Sequence, residues 1–473
     1  IEKTEVKGNY LNIFINKNIF VQETLKEIKK DYGSSNLGNS KKLLIEHTSI
    51  NPNAAPHVGR ARNAIIGDSL SRILKFQRYK VEVHYFVNDV GKQISMLVFA
   101  AGNKKPKFDE LLNLYIKINK EVEQNPELEN KVFDLLNKLE KGDKKVKQKF
   151  KDIVDICLKG QVKILSELGI KYNFFDYESK YLWNKETKEV LNNLEKTGKV
   201  FTDEYGRKVL DLKEFNLNVM VLTRKDNTSL YQLRDLAYTI EKLSKTPNNI
   251  VLLGEDHKLY FQQLKKALSL IRQKAPEVVH YSFILLKEGK MSTRQGNIVL
   301  LEDFMNESLE KASKELKERK NYSEKLAKAI GYGALKFQIL KVSSEKNITF
   351  DWDQALSFEG ETGPYVQYTH ARIYSILKKS KLSNKINYNN FNREEFTLIK
   401  KLSEFPEIVK ESALKYKPNL ICNYILQLCQ LFNNYYSKYE IKTSKERLFL
   451  ASKIKQVIST SLSLLSIEAP ESM

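Results

Sequence analysis

The spacing of apolar positions predicts a strand, a turn and a helix early in the chain. Residues 43–45 form a short apolar run, which is typical of a buried strand. Asn51 with Pro52, and then Pro56, are turn signals, and the apolar positions that follow recur at helical spacing. Residues 81–87 alternate between apolar and polar. We therefore predict a β-α-β unit over about residues 43–87.

The flanking segments extend this pattern. Residues 10–15 are strand-like, residues 22–30 are helical, and the stretch 31–41, with its Gly and Ser residues, is interpreted as a linker. Residues 108–168 are helix-forming and rich in Lys and Glu, which indicates a helical subdomain inserted between strands. Strand signals return in three segments, from which we expect the α/β pattern to resume: 219–223, 250–253 and 281–286.

The last part of the chain reads differently. Beyond about residue 345 the strand signals stop, and apolar positions recur at helical spacing. We therefore predict a helical bundle there, with most aromatic residues of the stripe in its core. The stripe consists of Leu420, Ile421, Tyr424, Ile425, Leu428, Leu431, Phe432 and Tyr435.

The charge of the chain indicates a polyanionic partner. It has 79 Lys and Arg against 58 Asp and Glu, a net charge of +21, and nucleic acid is the first expectation for such an excess. The alternative is that the lysines only solubilise helix surfaces, as in the run 144–151, where acidic residues lie nearby.

Length and cysteine content narrow the class of protein. A chain of 473 residues exceeds what one core usually supports, so we expect two or three domains. The odd set Cys157, Cys422 and Cys429 lacks C-x-x-C spacing and predicts neither a disulfide framework nor a metal site. The sequence has no apolar run of ~18 residues, which favours a soluble cytoplasmic protein. Because it opens on Ile1 rather than Met, we expect a segment to precede it.

The first candidate chemistry lies in residues 46–63, where the predicted strand leads into the predicted helix. A helix N-terminus offers unpaired N–H groups and the positive end of a dipole to phosphate. Gly59 lets a nucleotide approach the backbone, and His57 and Arg60, three residues apart, can both donate to phosphate oxygens. The alternative is that His57 only caps or packs this helix.

The second candidate segment is the loop 289–297. Two glycines frame it, and Lys290 and Arg294 can neutralise the charge that develops on a departing pyrophosphate. Alone it could equally be a solvated basic turn. The two segments in this order are much stronger evidence than either one.

Together the two segments resemble the H-I-G-H and K-M-S-K-S signatures of the class I aminoacyl-tRNA synthetases. Three further segments resemble the arginyl-tRNA synthetases in particular, and other class I enzymes do not share the second of them: 231–238, 358–372 and 467–471. The resemblance covers nearly the whole chain. It implies an α/β fold, with a Rossmann-type parallel-sheet catalytic domain, a helical insertion and an all-α anticodon-binding domain.

Two positions depart from the signatures. Arg60 replaces the second His of the first signature, a variant that we associate with archaeal-type arginyl enzymes, and it keeps a cation in place. Thr293 replaces the second Lys of the other signature. The cations left to stabilise pyrophosphate there are Lys290 and Arg294.

The resemblance also implies roles for individual residues. Two acids suit arginine, because its guanidinium is always charged and presents a planar set of donors. Tyr436 and Tyr439 lie partly off the apolar stripe and are the candidates for stacking on tRNA bases. The implied arginine-binding residues are Ser49, Asn51, Arg60, Glu178, Tyr231 and Asp235; the ATP-binding residues are His57, Gly59, Asp256, His257, Lys290, Met291 and Ser292; the catalytic residues are His57, Arg60, Lys290 and Arg294.

We predict three regions and one reaction. Residues 1–38 are interpreted as a truncated tRNA-binding appendage, 39–350 as the catalytic domain with its insertion at about 104–168, and 351–473 as the anticodon-binding domain. The implied activity is that of an arginine–tRNA ligase using ATP with Mg²⁺, L-arginine and tRNA-Arg, as a monomer without membrane contact. The alternatives are an inactive paralogue that binds tRNA and a different adenylylating enzyme.

Overall fold

The computed structural model describes residues 1–285, 299–383 and 385–473. Its strands are β1 (Lys3–Lys7), β2 (Tyr10–Phe14), β3 (Lys42–Thr48), β4 (Lys80–Val87), β5 (Phe174–Tyr177), β6 (Val200–Thr202), β7 (Lys208–Leu210), β8 (Met220–Val221), β9 (Asn249–Gly254), β10 (Glu277–Tyr281), β11 (Ile284–Leu285) and β12 (Ile348–Thr349).

The helices of the first two-thirds of the chain alternate with these strands. They are α1 (Lys17–Glu27), α2 (Val58–Phe76), α3 (Lys92–Ala101), α4 (Leu111–Gln124), α5 (Pro126–Glu140), α6 (Lys144–Glu167), α7 (Lys180–Trp183), α8 (Lys185–Glu195), α9 (Tyr231–Lys245) and α10 (Lys258–Leu270). The helices of the last third are α11 (Leu301–Glu318), α12 (Glu324–Leu340), α13 (Trp352–Leu356), α14 (Gly363–Lys378), α15 (Arg393–Ser403), α16 (Phe405–Lys415), α17 (Asn419–Tyr436) and α18 (Lys445–Leu464).

A five-stranded parallel sheet organises the catalytic part, with spatial order β10-β9-β3-β4-β5. In chain order this is the doubly wound arrangement, and the winding reverses between β3 and β9. Ligands bind at such a reversal, outside the carboxyl ends of the strands. The predicted Rossmann-type fold is confirmed.

Helices cover both faces of this sheet, which explains why its strands read as apolar runs. Ile250 and Leu252 of β9 pack in one core with α2, whereas Val251 between them packs with α9 and α10 in a second core. Helix α2 approaches β3 closely because Gly67 has no side chain: a Cβ there would lie 2.1 Å from the Cβ of His47. The predicted β-α-β unit is confirmed as β3, α2 and β4.

The predicted helical insertion is confirmed as α4, α5 and α6. Other expectations were wrong in detail. Residues 219–223 do not join the parallel sheet, because β8 pairs with β7 in a three-stranded antiparallel sheet of β6, β7 and β8. A strand also occurs after residue 345, since β12 pairs in parallel with β11.

The N-terminal segment packs against the C-terminal helices through α1. β1 and β2 form an antiparallel hairpin whose residues are all exposed. Helix α1 then packs on α15, with the rings of Phe20 and Phe396 5.8 Å apart. The stretch 31–41 is packed rather than a free linker: the Tyr32 hydroxyl donates to the Leu402 carbonyl at 3.0 Å, and the Gln77 amide donates to the Gly33 carbonyl at 2.8 Å.

The C-terminal helices form the predicted bundle, and Tyr424, Phe432 and Tyr435 are buried in its core. The segments 358–372 and 467–471 contact each other. The Gln367 amide donates to the carbonyls of Ala329 in α12 and of Glu468, both at 2.9 Å. Cys157, Cys422 and Cys429 are buried free thiols.

Candidate active site

The first signature segment forms the N-terminus of α2 at the carboxyl end of β3. His57 occupies the residue before the helix, and its backbone forms an antiparallel bridge with Leu300. The Val58 amide donates to the Val299 carbonyl at 3.1 Å, and the Leu301 amide donates to the Pro56 carbonyl at 2.8 Å. The signature loop is therefore tied to the residues that follow the basic segment.

The His57 imidazole is half-buried at the N-terminus of α2. It makes no capping hydrogen bond, and its buried Nδ1 atom has no partner within the described part of the chain. Burial and the nearby Arg60 charge lower its pKa to about 4. His57 is therefore neutral at pH 7 and can both donate and accept a hydrogen bond.

Arg60 places a cation at the same helix end. It is half-buried and lies beside the Tyr281 hydroxyl. Burial raises the pKa of this hydroxyl, and the positive charge of Arg60 opposes the rise. The negative charge of Asp256, which follows β9, acts to raise the pKa of the same hydroxyl. Residues from both sides of the sheet reversal thus meet at Tyr281.

Hydrogen bonds with Gln161, Gln93 and Asn88 fix the loop between β3 and α2. The Gln161 amide of α6 donates to the carbonyls of Asn51, at 3.0 Å, and Ala54, at 2.8 Å. The Asn51 side chain donates to Gln93 at 2.9 Å and accepts from Asn88 at 3.0 Å. Its amide is held in one orientation, facing the same sheet edge as the half-buried Ser49.

The acidic group predicted for arginine lies on α9. The Tyr260 hydroxyl donates to Asp235 Oδ2 at 2.7 Å, and the rings of Tyr231 and Tyr260 are 5.2 Å apart. Burial raises the pKa of Asp235, and the charge of Lys242 opposes that rise. Asp235 Oδ2 has a neutral donor, so the carboxylate can still take a cationic ligand.

Glu178, the second predicted acid, is already engaged. Its Oε1 atom accepts from Arg234 Nε at 2.7 Å, and both side chains are buried. Burial raises the pKa of Glu178, and the Arg234 guanidinium opposes this rise. Arg234 also donates to the Ser229 carbonyl. Arg234 therefore pairs with Glu178 and not with its neighbour in sequence, Asp235.

A second buried network lies beside this subsite. Lys242 Nζ forms an ion pair with Glu46. The Tyr238 hydroxyl donates to Asp176 Oδ2 at 2.9 Å, and His84 Nδ1 lies 2.6 Å from the same oxygen. Tyr238 itself is buried.

The remaining predicted residues divide into two groups. Asp256 and His257 form a turn directly after β9, at the same sheet edge, and their side chains are 56% and 38% exposed. A positive charge on His257 would oppose the rise in the pKa of Asp235 that burial causes. The basic-segment residues lie outside the described residues: Lys290, Met291, Ser292 and Arg294.

Two family models match the chain. The model described as "tRNA synthetases class I (R), catalytic domain" matches residues 21–352. The chain belongs to the class I arginyl-tRNA synthetase family. The "DALR anticodon binding domain" matches residues 366–473, which include the whole bundle from α15 to α18.

Named relatives are similar along the whole chain. The arginine–tRNA ligases of Methanocaldococcus jannaschii and Methanosphaera stadtmanae are 39% and 38% identical, over 100% of this chain and 87% of each relative. The arginyl-tRNA synthetase structure of Thermus thermophilus has a TM-score of 0.87 at 26% identity, covering 100% of this chain and 88% of that one. The Plasmodium falciparum structure shares the fold, with a TM-score of 0.83 at 20% identity over 100% and 86% of the two chains.

The two predicted tRNA-binding tyrosines differ in accessibility. The Tyr436 ring is 37% exposed and lies under the Arg372 guanidinium, 5.1 Å from the ring centre. Tyr439 is half-buried, stacked 4.9 Å from Tyr435 and beneath Arg447. Of the two residues, Tyr436 is the more exposed.

Sequence reasoning missed several residues of the site. Asn88 and Gln93 hold Asn51, and Tyr260 holds Asp235. Asp89 is a half-buried acid that accepts from the Ser179 amide at 2.8 Å. The available signal was the polar run directly after β4, since residues that follow parallel strands gather at one sheet edge.

The described helices were also compared with the length and apolarity that a bilayer requires. Within the described residues, no helix is long and apolar enough to cross a membrane.

Proposed function

We propose that the chain activates L-arginine with ATP and transfers it to the 3′ end of tRNA-Arg. The observation that supports this proposal is that a subsite suited to an anion and a subsite suited to a cation both lie at the carboxyl ends of the parallel strands. The N-terminus of α2, with neutral His57 and cationic Arg60, suits phosphate, and Asp235 with Tyr231 suits a guanidinium. Family membership supplies the tRNA as acceptor.

The first step needs positioning rather than a side-chain nucleophile. The arginine carboxylate attacks the α-phosphorus of ATP, the new bond forms, and the bond to pyrophosphate breaks. Neutral His57 and Arg60 can donate to the phosphate oxygens whose charge rises. We expect Asn51, fixed by Gln93 and Asn88, to orient the amino-acid end of arginine.

In the second step the terminal 2′-hydroxyl of the tRNA attacks the adenylate carbonyl, and AMP leaves. Mg²⁺ enters with ATP as part of the substrate. The described residues contain no group of three or more His, Cys, Asp or Glu that could hold a metal ion by themselves.

The test is aminoacylation of tRNA-Arg with each amino acid in turn, together with exchange of labelled pyrophosphate into ATP. We expect arginine alone to be esterified, and citrulline, its neutral analogue, to be rejected. Binding of tRNA without any exchange would instead support the inactive paralogue. Esterification of another amino acid would support a different synthetase.

A further inference from the structure

Arg62 lies one turn inside α2 and is fully buried. Its hydrogen bonds end on backbone carbonyls rather than on a carboxylate. Nη1 donates to Ser282 at 2.6 Å and to Phe283 at 3.3 Å. Nη2 donates to Ser343 at 3.1 Å and to Lys346 at 2.8 Å. A guanidinium is suited to this task because its donors point in fixed, divergent directions.

These carbonyls belong to two separate connections. Residues 282–283 join β10 to β11, and residues 343–346 lie between α12 and β12. The connections also bind each other: the Ser282 amide donates to the Ser344 carbonyl at 2.8 Å, and the Phe283 amide donates to Asn347 Oδ1 at 3.0 Å. Arg62 therefore joins the signature helix to both strands of the β11 and β12 pair.

Arg62 lies in the first signature segment, and it donates to residues that come shortly before the second in sequence. Arg60, two residues earlier, lies beside Tyr281, the last residue of β10. In sequence, the basic signature segment 289–297 follows soon after β11. The two signature segments must cooperate on one ATP molecule, so the chain entering the second must start from a fixed place relative to the first.

We infer that Arg62 is a positioning residue for adenylate formation, which fixes the start of β11 relative to the helix carrying His57 and Arg60. This rests on the proposed function. A burial role alone would not require a charged group, because an apolar side chain of similar volume fills a core at lower cost.

The test compares Arg62→Lys with Arg72→Lys, a matched change on the same helix. Arg72 is 38% exposed and bonds to Asp68 at 2.9 Å. With tRNA present, we expect Arg62→Lys to lower kcat for pyrophosphate exchange about ten- to a hundredfold per folded molecule, because small misplacements are that costly. The KM for arginine should change less than about threefold, and Arg72→Lys should match the unmodified chain.

A second variant keeps the inference testable if Arg62→Lys does not fold. Asn347 is exposed, so Asn347→Ala should leave folding intact while loosening the same connection. We expect its exchange kcat to fall several-fold. An unchanged kcat in the folded variant, Arg62→Lys or, failing that, Asn347→Ala, would overturn the inference. Absence of exchange in the unmodified chain would instead contradict the proposed function.

Discussion

Individual side chains in the site differ in how completely their neighbours already satisfy them. Glu178 is held by Arg234, and Glu46 by Lys242, in buried ion pairs. Asp235 Oδ2 has a neutral phenol as its partner. A cationic ligand therefore gains most from Asp235, because there it need not displace an existing cation.

We predict that Asp235→Asn raises the KM for arginine about ten- to a hundredfold. A charge-assisted hydrogen bond is worth roughly 1.5–3 kcal/mol, and asparagine keeps the shape without the charge. The KM for ATP should barely change. Discrimination against citrulline should weaken, since the charge distinguishes the two ligands.

The matched control is Glu241→Gln on the same helix. Glu241 bonds to Lys180, Tyr181 and Lys245 and lies outside the predicted subsite. It should alter stability slightly and leave arginine kinetics unchanged. Equal arginine kinetics in both variants would remove Asp235 from the site.

A second residue-scale prediction concerns His47, whose pKa burial lowers from 6.5 to about 4. The unfolded chain then binds a proton at this position before the folded chain does. Its contribution to stability is complete above pH 6.5 and is lost as pH falls toward 4, by about 1.4 kcal/mol per pH unit. In urea unfolding between pH 4 and 6.5, His47→Gln should reduce the slope of the unfolding free energy against pH by the equivalent of up to one proton. The same slope in both proteins would contradict the lowered pKa of His47.

At the scale of single residues, the sequence indicated the place of the candidate residues in the fold better than their hydrogen-bond partners. Ser49, Asn51, Asp256 and Asp235 all lie at or near the carboxyl edge of the sheet. The Arg62 contacts could not be predicted, because its acceptors are backbone carbonyls distant in sequence. A side chain's identity carries no information about which carbonyls will surround it.

Among the elements, α2 has the strictest requirement. Its close packing on β3 depends on Gly67, because a Cβ would collide with the His47 ring. We predict that Gly67→Ala lowers the unfolding free energy by about 1–3 kcal/mol, the usual cost of overpacking. Urea unfolding measures this.

The comparison variant is Arg72→Ala, which removes a half-exposed ion pair from the same helix. It should cost at most about 1 kcal/mol. Equal stability of Gly67→Ala and the unmodified chain would contradict the prediction, because it would mean that β3 and α2 can move apart at no cost in packing.

Elements with long, regular periodicity were predictable, and short ones were not. β3, α2, β4 and the insertion helices follow from apolar spacing. The antiparallel sheet of β6, β7 and β8 consists of strands of two or three residues, too short to show alternation. The half-exposed edge strand β5 was missed because its register depends on β4.

For the whole molecule, the main feature is the contact between the helical bundle and the signature helix. The Ser69 hydroxyl of α2 donates to the Leu464 carbonyl of α18 at 3.0 Å. The segment after α18 is also bound by α12, whose Lys336 donates to the Ser466 carbonyl at 2.5 Å. The bundle that the family model assigns to the anticodon thus reaches the helix that carries His57.

The resemblance to the arginyl-tRNA synthetases, which need tRNA before they activate the amino acid, leads us to predict negligible pyrophosphate exchange without tRNA. tRNA bound to the bundle can act on α2 through the hydrogen bond between Ser69 and Leu464. Binding of tRNA should weaken steeply with salt, given the charge of +21. Exchange assays with and without tRNA-Arg decide this. Vigorous exchange in its absence would show that the site is complete without the bundle's ligand.

The overall arrangement was only partly predictable. The order of a catalytic part and a helical bundle follows from where strand signals end. The packing of α1 on α15 does not, because it joins segments from opposite ends of the chain. The proposed boundaries at residues 38 and 350 depend on the same contacts and stay predictions.

The buried thiols have a practical consequence. Cys157 Sγ lies 3.4 Å from the Ala54 carbonyl, beneath the signature loop, whereas Cys422 and Cys429 lie in α17. Burial raises the pKa of all three, so the folded chain resists alkylation. Each thiol becomes reactive only when its surroundings open. Timed alkylation followed by peptide mapping would therefore report which half of the chain opens first, with no introduced label.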